Sequence, residues 1–408
     1  MILLFILGLY VYNVQNALFA NKVDESWYVD VQRRYDMWLQ MVSENKIGVQ
    51  YFLSDADYYA LAGWLYMHGV PPSEFNFEHP PLAKFFIGIS EVMFHSPTTM
   101  NALFGLATLL VVYLLSIRLI GKTVFALIPV YILSLEKLFL REAQTSMLNI
   151  YSTFFISLSV LMFLYAVKNS KFFPVLSVVI GLGIACKWEV AFIILAFIAY
   201  LLLDRAWMKL GYFAASLPLA FLTYAMAYTT YFSNGHSLFQ FLTLQMSIYE
   251  FIRSRTYTES PMRIWLLLLM GIIGPEIRTT VFIEAGQIVK RVTAKGLAVT
   301  SSFNPLTWSI SAWAVFYCLL KTFRGSEEHR VLPLWFLSFI APMSSALLLD
   351  YHILPFMPSF ILSIAYILKD GYSKGEGRGK TIVLAAIIAY LGALAVWPYV
   401  RIPEFIAT

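Results

Sequence analysis

Long uncharged stretches of about 16 to 20 residues recur along the chain, separated by short polar breaks. An apolar run of roughly 18 residues or more reads as a membrane span. Lipid offers the backbone no hydrogen-bond partner, so each span must be helical. The pattern places spans at about 2–20, 99–120, 122–138, 147–167, 172–186, 188–203, 209–231, 304–321, 331–349, 352–369 and 380–398, about eleven in all. The apolar run 264–274 is too short to cross alone and reads as re-entrant or interfacial. The first span is the weakest, because Asn13, Gln15 and Asn16 interrupt it. It lacks the basic start and clean cleavage site of a signal peptide. Either way, the segment that follows lies on the same side.

Composition agrees with this reading. Of 408 residues, 59% are hydrophobic and only 13% charged, against about 25% charged in a soluble domain. A soluble enzyme, a disordered chain and a nucleic-acid binder are excluded. The fold class expected is all-α: a polytopic membrane protein forming one integral membrane domain over residues 1–408. Cys186 and Cys318 both sit in apolar runs and cannot make a disulfide framework.

The few charges are sorted by loop. The short even-numbered loops hold thirteen cations: Arg118, Lys122, Lys168, Lys171, Arg205, Lys209, Lys321, Arg324, Arg330, Lys369, Lys374, Arg378 and Lys380. Five acids accompany them: Asp204, Glu327, Glu328, Asp370 and Glu376. The short odd-numbered loops carry only Lys137, Arg141 and Lys187. Loops rich in Lys and Arg stay in the cytoplasm. The N-terminus is therefore expected inside the cell membrane, and the long loops 21–98 and 232–303 outside.

Loop 21–98 concentrates the acids Asp24, Glu25, Asp30, Asp36, Asp55, Asp57, Glu74 and Glu78 among many aromatics. A transporter or flippase usually places its key charges mid-span. Here the membrane centre is nearly free of charge, and polar chemistry gathers at one face, as suits an enzyme of the outer surface. The segment Asn76-Phe77-Glu78-His79-Pro80-Pro81-Leu82-Ala83-Lys84 is the sharpest signal. Its two prolines bar a helix just before the apolar run FFIGI and fix Glu78 and His79 at the interface. An ordinary helix start with solvated polar flanks explains the same segment on composition alone.

With its neighbours, this segment resembles the first outer loop of the protein O-mannosyltransferases, type C membrane glycosyltransferases that use a polyprenyl-phosphate sugar. Asp24-Glu25-Ser26-Trp27-Tyr28-Val29 resembles the family's acidic "DE", and His79-Pro80-Pro81-Leu82-Ala83-Lys84 its "HPPLGK", with Ala83 for Gly. Ala102-Leu103-Phe104-Gly105 through Tyr113-Leu114-Leu115 is similar to its second span, and Lys187-Trp188 to its "KW" segment. Gln245-Met246 to Tyr249 and Tyr257-Thr258-Glu259-Ser260-Pro261 resemble its large outer loop. Asn304-Pro305-Leu306-Thr307-Trp308 and Tyr351-His352-Ile353-Leu354-Pro355 resemble "NPLxWW" and "YHYLP". Each motif is weak, but the ordered set covers most of the chain.

Two departures matter. The family's "SRxxMLD" reads Gln144-Thr145-Ser146-Met147-Leu148-Asn149 here, so Gln replaces its Arg and Asn its Asp. Arg141, one helical turn earlier, is placed to substitute. The large loop lacks the family's histidine and paired tryptophans and keeps only Trp265.

The resemblance implies a type C glycosyltransferase fold, with interfacial helices in its two long outer loops. It also implies transfer of a sugar, mannose in the family, from a polyprenyl or dolichyl phosphate to a hydroxyl, typically Ser or Thr of protein. A carboxylate would act as general base and cations would meet the leaving phosphate, inverting the anomeric centre. Asp24 with Glu25 carries the "DE" wording and lies beside the first span. Asp55 has the more usual spacing to His79. The first is preferred and the second stays open. Glu78, His79, Arg141, Gln144, Lys187, Gln245, Tyr351 and His352 are the candidate donor-phosphate and substrate residues, with Arg253 and Arg255 as reserves. A span-end lysine that merely snorkels explains Lys187 as well, and His352 has an equally ordinary reading as a loop residue.

No metal-ligand spacing stands out. The carboxylates are able to hold a hard divalent cation, though nothing in the pattern requires one. No resident cofactor is implied, and no Gly-rich phosphate loop argues for a nucleotide. The partners expected are the bilayer, the lipid-linked sugar and a protein, glycan or lipid acceptor. Loop 232–303 is too short for a sizeable extra domain, as expected of a minimal prokaryotic member.

Overall fold

The computed structural model describes residues 1–43, 53–255, 272–284, 287–299, 304–322, 328–343 and 350–396. Trp265, the stretch 257–261 and most of the run 264–274 lie outside the described residues. Helix α1 (Ile2–Asn13) continues through a π-turn at Asn16–Ala20, where the polar residues of the first span fall. The first long loop then folds as α2 (Glu25–Ser43), α3 (Asp55–Met67) and α4 (Leu82–Phe94). Helix α3 starts on a capping box, with the Ser54 and Asp57 side chains each accepting the other's backbone N–H.

The bundle follows: α5 (Thr99–Ile120), α6 (Ile128–Leu135), α7 (Lys137–Gln144), α8 (Asn149–Lys168), α9 (Phe173–Cys186), α10 (Ile193–Leu203) and α11 (Trp207–Met226). Then come α12 (Thr229–Ser233), α13 (Leu238–Arg255), α14 (Pro305–Thr322), α15 (Val331–Met343), α16 (Met357–Lys374) and α17 (Gly377–Val396). The described residues of the expected spans are mostly helical. Among the described residues, four stretches are long and apolar enough to cross a membrane on their own: Thr99–Ile120, Asn149–Lys168, Tyr351–Lys374 and Gly377–Ala395.

One expectation needs revision. The span at 122–138 is broken at Glu136, which is extended between α6 and α7. Its carboxylate accepts the Asn304 N–H at 3.0 Å, so a buried acid fastens the break to the start of α14. The fold is helical as expected, and the second long loop adds one hairpin to it. Strands β1 (Ile272–Glu284) and β2 (Gln287–Val299) form an antiparallel hairpin, with Glu284 opposite Gln287.

Packing inside lipid gains little from hydrophobicity, so close van der Waals approach must hold the helices. Small residues provide it. A Cβ on Gly88 would lie 2.4 Å from Gly63 O, so α3 and α4 touch backbone to backbone. Gly181 of α9 meets Ala220 of α11 in the same way. Helix α8 is buried at the centre, whereas Leu110, Leu114, Val175, Leu195 and Leu222 point outward from their helices.

The helix ends sort the charges. At one end, Lys369 Nζ donates to Ile120 O at 2.5 Å, and His329 Nε2 to Leu119 O at 2.8 Å. Arg330 pairs there with Asp204, and Arg118 lies over the Tyr165 ring. These contacts draw the basic loops together. The HPP segment, the start of α8 and the end of α9 lie at the opposite end.

Candidate active site

Lys84 organises the HPP segment. Its Nζ, fully buried, donates to Asn76 O at 2.6 Å, Asn76 Oδ1 at 2.7 Å and His79 O at 2.8 Å. Asn76 adopts a left-handed φ of +49°, which asparagine tolerates better than most residues. One side chain on the first turn of α4 thus ties down the whole loop before it. The sequence offered Lys84 only as the last letter of a motif.

Around this loop the candidate residues converge. The Tyr59 ring meets the His79 ring at 5.8 Å. Burial, then the charge of Asp55, holds the Tyr59 hydroxyl well above its ordinary pKa, with Tyr351, Glu78 and Glu142 acting in the same direction. Tyr351 Oη lies 3.4 Å from Asp55 Oδ2, and Lys187 Nζ lies over its ring, 5.6 Å from the centroid. His352 stacks edge-on against Tyr351 at 4.6 Å. Burial first, then Lys187, Lys84 and His352, pushes the His79 pKa well below its usual value. Asp55, Glu78, His79, Lys187, Tyr351 and His352 therefore form one cluster.

A buried network supports it from below. Lys187 Nζ donates to Asn149 Oδ1 and pairs with Glu189 at 3.1 Å. Asn149 Nδ2 donates to Glu142 Oε2 at 2.9 Å, and Arg141 donates to Glu142 Oε1 at 3.2 Å. Ser152 Oγ donates to Glu189 Oε1 at 2.9 Å. Burial raises the Glu142 pKa, partly countered by Asn149 and then Arg141. Glu142, Asn149 and Glu189 were not singled out as site residues, because their role depends on pairing across helices. Arg141 thus shares one network with Lys187. Its side chain is 41% exposed beside a Glu142 that is 1% exposed.

Asp24 and Glu25 lie elsewhere. Asp24 caps α2, accepting Ser26 Oγ at 2.6 Å and the Trp27 N–H at 3.2 Å, and these bonds lower its pKa. One backbone and one side-chain contact tie this segment to the far end of α4: Val23 N–H donates to His95 O at 2.9 Å and Lys22 Nζ to Phe94 O at 2.7 Å. Thirteen residues of α4, about 18 Å, separate that end from the HPP loop. Gln144 ends α7. Gln245 on α13 accepts Tyr224 Oη at 2.6 Å, and Tyr224 packs on Trp188, next to Lys187. Among the described residues, no three His, Cys, Asp or Glu side chains meet as metal ligands.

A helical membrane bundle with helices in its first long loop, an HPP loop near Asp55, and cations at neighbouring helix ends has the fold of the type C membrane glycosyltransferases. A family model described as dolichyl-phosphate-mannose-protein mannosyltransferase matches residues 78–231. The resemblance read from the motifs is thus present from Glu78 through α11. Among solved structures, ArnT from Cupriavidus metallidurans bound to undecaprenyl phosphate is similar at 16% identity with a TM-score of 0.58. That likeness covers 86% of this chain and 62% of ArnT. The Archaeoglobus fulgidus oligosaccharyltransferase in its apo form is similar at 13% identity with a TM-score of 0.54, covering 97% of this chain and 55% of its own. This chain therefore spans less than two thirds of either. No curated protein matches the sequence.

Proposed function

We propose that the chain is a membrane glycosyltransferase that moves a sugar from a polyprenyl-phosphate carrier to a hydroxyl acceptor. The observation that carries this reading is the meeting of Asp55 and Glu78 with Lys187, Tyr351 and His352 around the latched HPP loop. The family model's description and the lipid phosphate bound to ArnT support a lipid-linked donor. Asp55 serves as the base. It takes the acceptor's hydroxyl proton as that oxygen attacks the anomeric carbon. The bond from that carbon to the phosphate oxygen breaks, its electron pair stays with the polyprenyl phosphate, and the configuration inverts. Lys187, with Arg141 and His352, meets the charge that grows on the leaving phosphate. Asp24 is left as a helix cap.

Mannose as the sugar and Ser or Thr of protein as the acceptor follow the family model's description. The site end faces outward, because the opposite end holds the basic loops. In the test, purified protein receives labelled polyprenyl-phosphate mannose with a Ser/Thr peptide, and in parallel with a lipid or glycan acceptor. Label on the peptide supports the full reading. Label only on the other acceptor keeps the transferase and changes its substrate. Label on neither, with the lipid merely moved between leaflets, would replace the enzyme with a flippase.

A further inference from the structure

At the end opposite the candidate site, a cavity of about 820 Å³ opens between the ends of α8 and α10, the first turn of α11 and the approach to α15. Lys168, Arg205, Lys209 and Arg330 line it, with Asp204 as the one acid in the lining. Asp204 is engaged in its ion pair with Arg330. Four cations against one acid leave the lining with three positive charges in excess.

The backbone is arranged to present two of them. Helix α10 closes with Ala206 N–H on Leu201 O at 2.9 Å and Arg205 N–H on Leu202 O at 3.0 Å, and Arg205 has a φ of +52°. That closure ordinarily takes glycine at its left-handed position. Glycine would fit without strain, so the arginine earns its place by its side chain, which lines the cavity. Helix α11 then starts at Trp207 with no side-chain cap, no acid in its first turn and Lys209 as its third residue. A cation sits poorly at a helix N-terminus, and the first-turn N–H groups still seek acceptors. An anion in the cavity supplies what both lack.

The surroundings select its source. Leu202, Leu203, Trp207 and Met208 are all exposed beside the opening, Met208 by 80%. Tryptophan beside exposed aliphatics marks the membrane–water boundary. The mouth of the cavity therefore sits at headgroup depth, next to lipid. Basic pockets between helices on that side are suited to anionic headgroups.

We propose that this cavity binds the phosphate headgroup of an anionic membrane lipid, with its chains lying against the exposed apolar residues of α10 and α11. The proposal is independent of the reaction assigned to the other end.

The test measures the thermal midpoint of the full chain in neutral detergent, titrated with phosphatidylglycerol, phosphatidylcholine or inorganic phosphate. Phosphatidylglycerol is expected to raise the midpoint by ligand linkage, and the other two to leave it unchanged. Arg205→Gly removes a cation and relieves the left-handed backbone. Its lipid-free midpoint should equal or exceed the parent's, while its phosphatidylglycerol affinity falls about fivefold. Lys209→Ala should weaken binding similarly, and Lys380→Ala, outside the cavity, should not. An equal rise with phosphatidylcholine would overturn the proposal. So would an equal rise with phosphate, or parental lipid affinity in both cavity variants.

Discussion

At the scale of single residues, the site depends on a lysine that touches no substrate in the proposed reaction. Lys84 gives all three ammonium hydrogens to Asn76 and His79. Replacing it by Met leaves those acceptors buried without a donor, at about 1–3 kcal/mol for each group. Lys84→Met should therefore lower stability by about 3 kcal/mol and reduce transfer by loosening His79. Burial pushes the Lys84 pKa down to about 7, with Glu78 opposing, well below the roughly 10.4 of a free lysine. The unfolded chain then holds one more proton than the folded one between those values, so this residue makes stability rise with pH from about 7 to 10. Unfolding measured across that range should show the slope in the parent and lose it in Lys84→Met. The two carboxylate candidates separate as cleanly. Asp55→Asn should cut transfer by at least about 100-fold. Asp24→Asn keeps an equally good helix cap and should retain activity. Parental activity in Asp55→Asn, or its loss in Asp24→Asn alone, would return the base to Asp24.

At the scale of elements, the distance from Asp55 to the HPP loop is set by two glycines. Asp55 begins α3, and Gly63 of that helix faces Gly88 of α4 so closely that a Cβ on Gly88 would also sit 2.6 Å from Met67 Cγ. The backbone contact cannot yield without moving the helices apart. Gly88→Ala should cost about 1–3 kcal/mol and cut transfer, whereas Gly8→Ala, with open space around it, should do neither. These glycines also mark where the sequence stops being legible. Spans follow from apolar run length, which is local, and their described residues are mostly helical. The interior glycines of α3 and α4 read locally as a helix penalty, because their value lies in a crossing partner 25 residues away. The broken helix at Glu136 was hidden for the same reason. Its buried acid is met by the Asn304 N–H, from a distant stretch of the sequence. Among candidate site residues, Glu78, His79, Lys187, Tyr351 and His352 were visible through the resemblance. The sequence favours Asp24 as the base because an acidic "DE" before an aromatic run reads equally as a motif and as a helix cap.

At the scale of the whole molecule, the two ends of the bundle carry different chemistry, and this predicts how the protein sits in the membrane. One end gathers the basic loops through Lys369 to Ile120, His329 to Leu119 and Arg330 to Asp204. The other holds the latched loop, Asp55 and Lys187. Cytoplasmic loops retain Lys and Arg, so the basic end is expected inside and the candidate site outside, where a lipid-linked sugar would be met. Cys186 and Cys318 are both buried, so a membrane-impermeant maleimide should react mainly with introduced cysteines at exposed positions. Glu74→Cys and Asn234→Cys, on the two long loops, should label in intact cells. Lys171→Cys and Arg378→Cys, at the basic end, should label only after permeabilisation. The reverse pattern would turn the molecule over and move the proposed chemistry to the cytoplasm. Labelling of one residue from each pair in intact cells would break the alternation of spans from which the two ends are built.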